Sequence, residues 1–128
     1  MGDKHYHTWE QLDKDIRTIA RKVVQKGWNI KWVYGPPRGG CIPAVMLSHK
    51  LNAHYITDLK KWHVPSKTLI VDDVSDTGDT LTNIFKKLKK PKSYKTATIF
   101  IKPETIYIPN VYCRVVPQTT WIVFAWEI

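Results

Sequence analysis

The chain has 128 residues and 43% hydrophobic content, enough for one domain spanning residues 1–128 with its own core and too little for a second. Its 20 Lys and Arg outnumber 11 Asp and Glu, and the formal charge of +9 favours an anionic ligand and would also suit nucleic acid. Cys41 and Cys113 form no metal-ligand or Cys-x-x-Cys spacing, and no apolar run reaches the ~18–20 residues of a membrane span or makes a signal peptide, so a soluble cytoplasmic protein with free thiols is expected.

Near the amino terminus, Thr8-Trp9-Glu10-Gln11 has the form of a capping box, with Thr8 capping the helix and Gln11 reaching back. Leu12, Ile16, Ile19, Ala20, Val23 and Val24 trace one apolar stripe that Gly27 ends, which predicts an amphipathic covering helix. His5 and His7, ahead of it, read as solvated residues of a mobile terminus rather than as a metal site. The first strand of the sheet is expected over residues 29–34, running into Gly35-Pro36-Pro37-Arg38-Gly39-Gly40. From Ile42 the pattern is helical, with Pro43 tolerated in the first turn, where its missing N–H costs nothing. A strand feeding a Gly-rich loop that opens a helix is a ready anion site, because the first N–H groups of the helix have no internal partner and point outward. Arg38, Gly39 and Gly40 are expected to present such groups.

Residues 54–56 give a short strand, and residues 57–67 connect it to the stretch Leu-Ile-Val-Asp-Asp-Val-Ser-Asp-Thr-Gly-Asp-Thr-Leu, from Leu69 to Leu81. Residues 68–71 have the β-branched richness and lack of alternation of a strand buried on both faces in a parallel sheet. Leu81, Ile84, Phe85 and Leu88 then recur at helical spacing. Between strand and helix lies a short polar loop, residues 76–80. Thr77 and Thr80 add hydroxyl donors, and Gly78 lets the backbone close around a phosphate. Asp72 and Asp73 are acceptor-only groups suited to sugar hydroxyls or a hard cation. Two anion loops at neighbouring strand ends suit a ligand phosphorylated at both ends.

The helix beginning near Asp79 ends in Lys86, Lys87, Lys89 and Lys90, with Lys92 and Lys95 beyond. Cations there complement the negative end of a helix dipole. With no aromatic residues interleaved, the cluster reads as a solvated helix end rather than a nucleic-acid patch. Residues 94–101 form another strand, with Lys102 at its end. The chain closes with Pro117-Gln118-Thr119-Thr120-Trp121-Ile122-Val123-Phe124-Ala125-Trp126-Glu127.

Residues 71–80, in which hydrophobic residues precede two acidic residues and an Asp-Thr-Gly-x-Thr loop, closely resemble the phosphoribosyl pyrophosphate (PRPP) motif of type I phosphoribosyltransferases. Arg38, Gly39, Gly40 and Pro43 match the spacing of that family's pyrophosphate loop. The closing segment resembles the base-recognition end of small bacterial and archaeal xanthine–guanine phosphoribosyltransferases. The resemblance implies an α/β fold: a Rossmann-like, mostly parallel sheet flanked by helices, with a small carboxyl-terminal hood over the base. It further implies transfer of ribose 5-phosphate from PRPP to a 6-oxopurine (guanine, xanthine or hypoxanthine) with release of pyrophosphate, Mg2+ as cofactor, and a role in purine salvage.

By the same resemblance, Arg38, Gly39 and Gly40 take the pyrophosphate, and the bond between Pro37 and Arg38 is cis or switches with ligand. Asp72 and Asp73 order the ribose hydroxyls or hold Mg2+, directly or through water. Main-chain N–H groups of Thr77, Gly78, Asp79 and Thr80 hold the 5-phosphate, with the two Thr hydroxyls. Asp76, first in that loop, meets N7 of the purine as base or acid. Lys102 meets the 6-oxygen, Trp121 stacks on the purine, and Ile122 reads its edge through the main chain. Two features depart from the family pattern. Asp79 stands where relatives often carry Gly, Lys or Ala, so its side chain is expected to face solvent. The connection over residues 57–67 is unusually short for a closing loop; Lys60, Lys61 and His63 could supply charge and Trp62 a cover, or the segment could be a solvated basic turn. A homo-oligomer is implied, with a symmetric dimer as the default. Two rival readings remain at this point: a non-catalytic module that senses PRPP or nucleotide and uses its basic surface on nucleic acid, and a phosphoribosyltransferase for a non-purine base.

Overall fold

The capping box forms as the sequence predicts. In this computed structural model, which describes residues 2–89 and 94–128, Thr8 Oγ1 accepts the Gln11 N–H and Gln11 Oε1 accepts the Thr8 N–H, both at 3.1 Å. They open α1 (Trp9–Gln25), whose stripe buries Leu12, Ile16, Ile19 and Val23. Val24 does not belong to that stripe and is 68% exposed, because each residue turns the helix by about 100° and Val23 already closes the buried face. Of the expected basic cluster, Lys90 and Lys92 lie outside the described residues.

The main sheet contains β2 (Trp32–Tyr34), β3 (His54–Ile56), β4 (Thr68–Ser75), β5 (Tyr94–Ile101) and β6 (Val111–Val115). They pair in the order β3-β2-β4-β5-β6, and every pair is parallel. A parallel sheet is covered on both faces, which is why β4 and β5 read as apolar, β-branched runs without alternation. Along β4, Leu69 and Val71 face the larger core beneath α1 and α2 (Cys41–Lys50). Ile70 faces a smaller cluster with Leu81 and Ile84 of α3 (Asp79–Lys87) and Leu88 just beyond it. Phe85, expected on that face, is 47% exposed and meets Tyr94 edge-on at 6.5 Å.

Two strand boundaries differ from the sequence reading. The first strand of this sheet covers residues 32–34 rather than 29–34, because the N–H groups of Lys31 and Trp32 are both taken by the Lys67 carbonyl before regular pairing begins. The central strand runs on through the acidic pair to Ser75, since β5 offers partners that far: Asp72 opposite Thr98, Val74 opposite Phe100 and Ser75 opposite Ile101. Asp72 and Asp73 therefore belong to the strand itself.

From β2 the chain passes through α2 to β3 on one side, and from β4 through α3 to β5 on the other. Strand order thus reverses between β2 and β4, and such a switch point leaves a crevice outside the carboxyl ends of the strands.

A second, two-stranded sheet joins the chain's ends. β1 (Lys4–His7) runs parallel to β7 (Trp121–Phe124), with Lys4 opposite Trp121 and His7 opposite Phe124. The amino-terminal histidines are therefore ordered in a strand, contrary to the sequence reading, with His5 half-buried and His7 buried. His7 is 2% exposed, edge-on to Phe100 and Phe124 at 5.1 and 5.7 Å. Its Nε2 lies 2.7 Å from Asp15 Oδ2, and Arg114 of β6 donates from Nε and Nη2 to the same carboxylate at 2.9–3.1 Å. Burial opposes the Asp15 charge, but hydrogen bonds with His7 and Arg114, together with their charge, prevail and hold its carboxyl below the usual range. Both cysteines are free, and burial with the nearby Asp15 pushes the Cys113 thiol up to about 11. Among the described residues no helix is long and apolar enough to cross a membrane.

Candidate active site

The loops that follow β2 and β4 face each other across the switch point. In the first, residues 35–40, the bond between Pro37 and Arg38 is cis, as the resemblance implied. Arg38 is exposed at its tip. Gly39 backs onto the Asp73 side chain at the end of β4, and a Cβ there would push that carboxylate aside. Gly40 behaves differently from the expectation. Its N–H is taken by the Pro36 carbonyl at 2.9 Å, and it is packed beneath Pro36 and Val71, which leaves Arg38 and Gly39 as the residues that reach the crevice.

The second loop opens α3. Gly78 is the residue before the helix and has φ +89°. A Cβ there would also stand 2.6 Å from the Tyr107 nitrogen and 2.7 Å from Thr105 Oγ1. The loop is buttressed from the far side by the segment after β5: the Ile106 N–H donates to the Thr77 carbonyl at 2.9 Å. Ser75 Oγ donates to the Tyr107 carbonyl and lies against Thr105 Oγ1, each at 2.8 Å. Thr105 and Tyr107 carry no motif, and nothing in the sequence pointed to them. Thr77 Oγ1 accepts the Asp79 N–H at 3.2 Å, and the side chains of Thr77, Asp79 and Thr80 are exposed.

Three cavities meet at this place. One of about 270 Å3 is enclosed by the strand end and loop from Asp72 to Leu81. A second, about 540 Å3, lies between Arg38, Gly39, Asp73, Trp126 and Glu127. The third, about 200 Å3, is bounded by Asp73, Asp76, Lys102, Trp121, Ile122 and Glu127, among others. Asp73 lines all three, and Asp76 lines the first and third. Burial, and then the charge of Asp73, pushes the Asp72 carboxyl up to about 8, and burial raises Asp73 as well. Among the described residues, no three His, Cys, Asp or Glu side chains are grouped to hold a metal ion by themselves.

Asp76 projects from the end of β4 between two of these cavities. Lys102, 5% exposed, reaches out of the core and donates to Asp76 Oδ2 at 3.0 Å. Gln118 donates from Nε2 to Oδ1 at 2.8 Å. The sequence reading passed over Gln118. On the hood, Trp121 is 63% exposed and Ile122 is buried. The Trp121 N–H donates to the Asp3 carbonyl at 2.8 Å. In a parallel ladder this phase turns the main-chain groups of Trp121 and Val123 toward β1 and those of Ile122 the opposite way.

The predicted site residues are thus brought together, with Gly40 contributing packing. Among the described side chains of residues 57–67, none lines any of the three cavities. Instead Trp62 lies under the Lys87 ammonium at 5.1 Å and its carbonyl accepts the Lys89 N–H at 3.0 Å, tying this segment to the end of α3.

Residues 65–128 match the phosphoribosyl transferase domain family. The chain is 30% identical to the xanthine-guanine phosphoribosyltransferase of Nitratidesulfovibrio vulgaris strain Hildenborough over a 138-residue alignment, covering 94% of this chain and 82% of that protein. In three dimensions it superposes on the crystal structure of a purine phosphoribosyltransferase from Pyrococcus horikoshii with a TM-score of 0.82 at 33% identity, covering 98% of this chain and 95% of the other. The fold is also that of Helicobacter pylori xanthine-guanine-hypoxanthine phosphoribosyltransferase, with a TM-score of 0.84 at 21% identity over 100% and 95% of the two chains. The chain therefore belongs to the phosphoribosyltransferase family and has its type I fold. Within that family, the proteins it resembles include a bacterial xanthine-guanine phosphoribosyltransferase and an archaeal purine phosphoribosyltransferase.

Proposed function

We propose that this chain is a single phosphoribosyltransferase domain that transfers ribose 5-phosphate from PRPP to a 6-oxopurine, forming the nucleoside 5'-monophosphate and pyrophosphate in purine salvage. The observation that carries this reading is the corner at Asp73, where three cavities converge. A reacting PRPP–purine pair likewise has three arms around one ribose: the phosphate carried on C5, and the pyrophosphate and the base at the anomeric carbon. The cavity of loop 76–80 takes the 5-phosphate on main-chain N–H groups at the start of α3. The cavity at Arg38 and Gly39 takes the pyrophosphate. The third takes the base, stacked on Trp121, with Lys102 toward its 6-oxygen and the Ile122 main chain along its edge.

In the reaction the bond from the anomeric carbon to the pyrophosphate oxygen breaks as the bond to the purine nitrogen forms, through a transition state with oxocarbenium character. The chain's part is to hold both phosphorylated ends and to manage one proton. Asp76 stands beside the base cavity, where it holds or releases the proton at purine N7.

Magnesium fits the residues present. Asp72 and Asp73 are hard oxygen donors whose raised carboxyls a cation would relieve. Their small number suits an ion that keeps waters and substrate phosphates as its remaining ligands. When bound, it supplies charge neutralisation to the departing pyrophosphate. The enzyme is further proposed to be cytoplasmic and to form a homo-oligomer, by default a symmetric dimer.

A second reading has one observation in its favour: the described side chains of residues 57–67 line none of the three cavities, as would suit a module that senses PRPP or nucleotide without turning it over. Ultraviolet absorbance separates the two. Protein, Mg2+ and PRPP mixed with guanine, xanthine or hypoxanthine should give nucleotide spectra with at least one base. Binding of PRPP without conversion of any base would favour the sensor, and conversion of orotate or uracil alone would replace the purine.

A further inference from the structure

We propose that Gln118 is the positioning residue that aims the Asp76 carboxylate at the incoming base. The proposal rests on the phosphoribosyl-transfer reading and deepens it. Asp76 is part-exposed, with 47% of its side chain open to solvent, and each of its oxygens has one side-chain partner: Lys102 on Oδ2 and Gln118 on Oδ1. The two partners are not equivalent. Lys102 is the cation proposed to meet the 6-oxygen of the purine, so its hold on Asp76 must be shared or released when the base arrives. Gln118 has no such second duty. Once Lys102 turns to the substrate, the Gln118 amide is the contact that keeps the carboxylate from rotating out of the plane in which it meets N7.

Gln118 is itself fixed at both ends. Its Oε1 accepts the Glu104 N–H at 2.8 Å, while Nε2 donates to Asp76 at 2.8 Å. This assignment of the amide is forced by chemistry: a backbone N–H can only donate and a carboxylate can only accept, so the reversed amide would lose both bonds. Glu104 and Gln118 each lie in a tight turn. The Thr105 N–H closes on the Lys102 carbonyl at 3.1 Å, and the Thr120 N–H closes on the Pro117 carbonyl at 3.0 Å. The second turn leads directly into Trp121. One planar amide therefore links the carboxylate at the end of β4, the exit of β5 that carries Lys102, and the entry to the strand that carries the stacking platform.

Replacing this amide by a carboxylate separates a positioning role from a structural one. Gln118→Glu still accepts the Glu104 N–H, but it faces Asp76 with a second negative charge and no donor. The expected result is a fall in kcat of about 100-fold, with KM for PRPP within about threefold of the wild type. Gln118→Leu removes both bonds without adding charge, and its kcat should fall about tenfold. If Gln118→Leu does not fold, Gln118→Glu alone carries the test because it keeps the structural bond. Wild-type kcat in Gln118→Glu would overturn the proposal, leaving Gln118 as a tie between two turns. A wild-type protein that converts no 6-oxopurine would defeat the underlying reading instead. The contact is then read without activity, from the Gln118 side-chain amide resonance in 15N-labelled protein. That signal should move in Asp76→Asn, and an unmoved signal would end the claim.

Discussion

Loop 76–80, which begins with Asp76, and the two-stranded hood of β1 and β7 border the same cavity, yet they are made in opposite ways. The loop is five consecutive residues at the tip of one strand, turning on a glycine at φ +89°, and the chemistry proposed for it comes from backbone N–H groups. The hood takes one strand from each end of the chain, Lys4–His7 and Trp121–Phe124. It is held to the body by His7 and Phe124 around Phe100, and by the buried carboxylate of Asp15 between His7 and Arg114. A phosphate is the same in every reaction of this type, so a local, main-chain cradle serves it. A base varies, and a separately assembled hood can change its side chains without disturbing the cradle. Substitutions in the loop should therefore act on PRPP and those in the hood on the base, with Asp76 belonging to both.

The largest effect expected is at the shared residue. Asp76→Asn should lower turnover by ~10²–10⁴, the usual share of a general acid–base group, while PRPP affinity by calorimetry stays near the wild type. Unchanged turnover with guanine would remove Asp76 from the chemistry. In the hood, Trp121→Ala should raise KM for the base by roughly 5- to 150-fold, from the ~1–3 kcal/mol that base–aromatic stacking contributes, and leave KM for PRPP alone. A comparable rise in both constants would show that hood and cradle are not separable.

A smaller effect should appear in stability. The Asp15 carboxyl is held below its ordinary value of 3.8 in the fold, so its contribution is fully present above about pH 4 and is lost as pH falls through the lowered value. Asp15→Asn should cost about 1.5–3 kcal/mol at neutral pH, and should flatten the acid limb of urea midpoints measured between pH 2 and 5. An acid limb as steep as the wild type's would place the acid sensitivity elsewhere. The least effect is expected at Asp79→Gly, where an exposed side chain beside the phosphate cavity is removed. Activity should be equal or better, and a large loss would reveal a task for that carboxylate.

Much of this was legible because it is local. A buried parallel strand, a capping box and an anion loop are each defined within about a dozen neighbouring residues, so composition and spacing identify them. Phe85, Val24 and the reach of β4 were misread because partners distant in the chain decide them: the width of the covering face, and the length of β5. Trp62 could serve as a cover by sequence, and its contacts with Lys87 and Lys89 at the end of α3 are long-range.

By its sequence alone, this chain declares an α/β protein with loops of the kind proposed to bind phosphate, since the hydrogen-bonding needs of a phosphate can be met by contiguous backbone. Only the tertiary structure decided that His7 is buried beneath the hood, that Thr105 and Tyr107 brace the loop, and that Gln118 grips Asp76. Those contacts join residues far apart in the chain, Asp76 with Gln118 and His7 with Phe124. Pairings at such separation depend on how strands order themselves in the sheet, and no local pattern encodes that order.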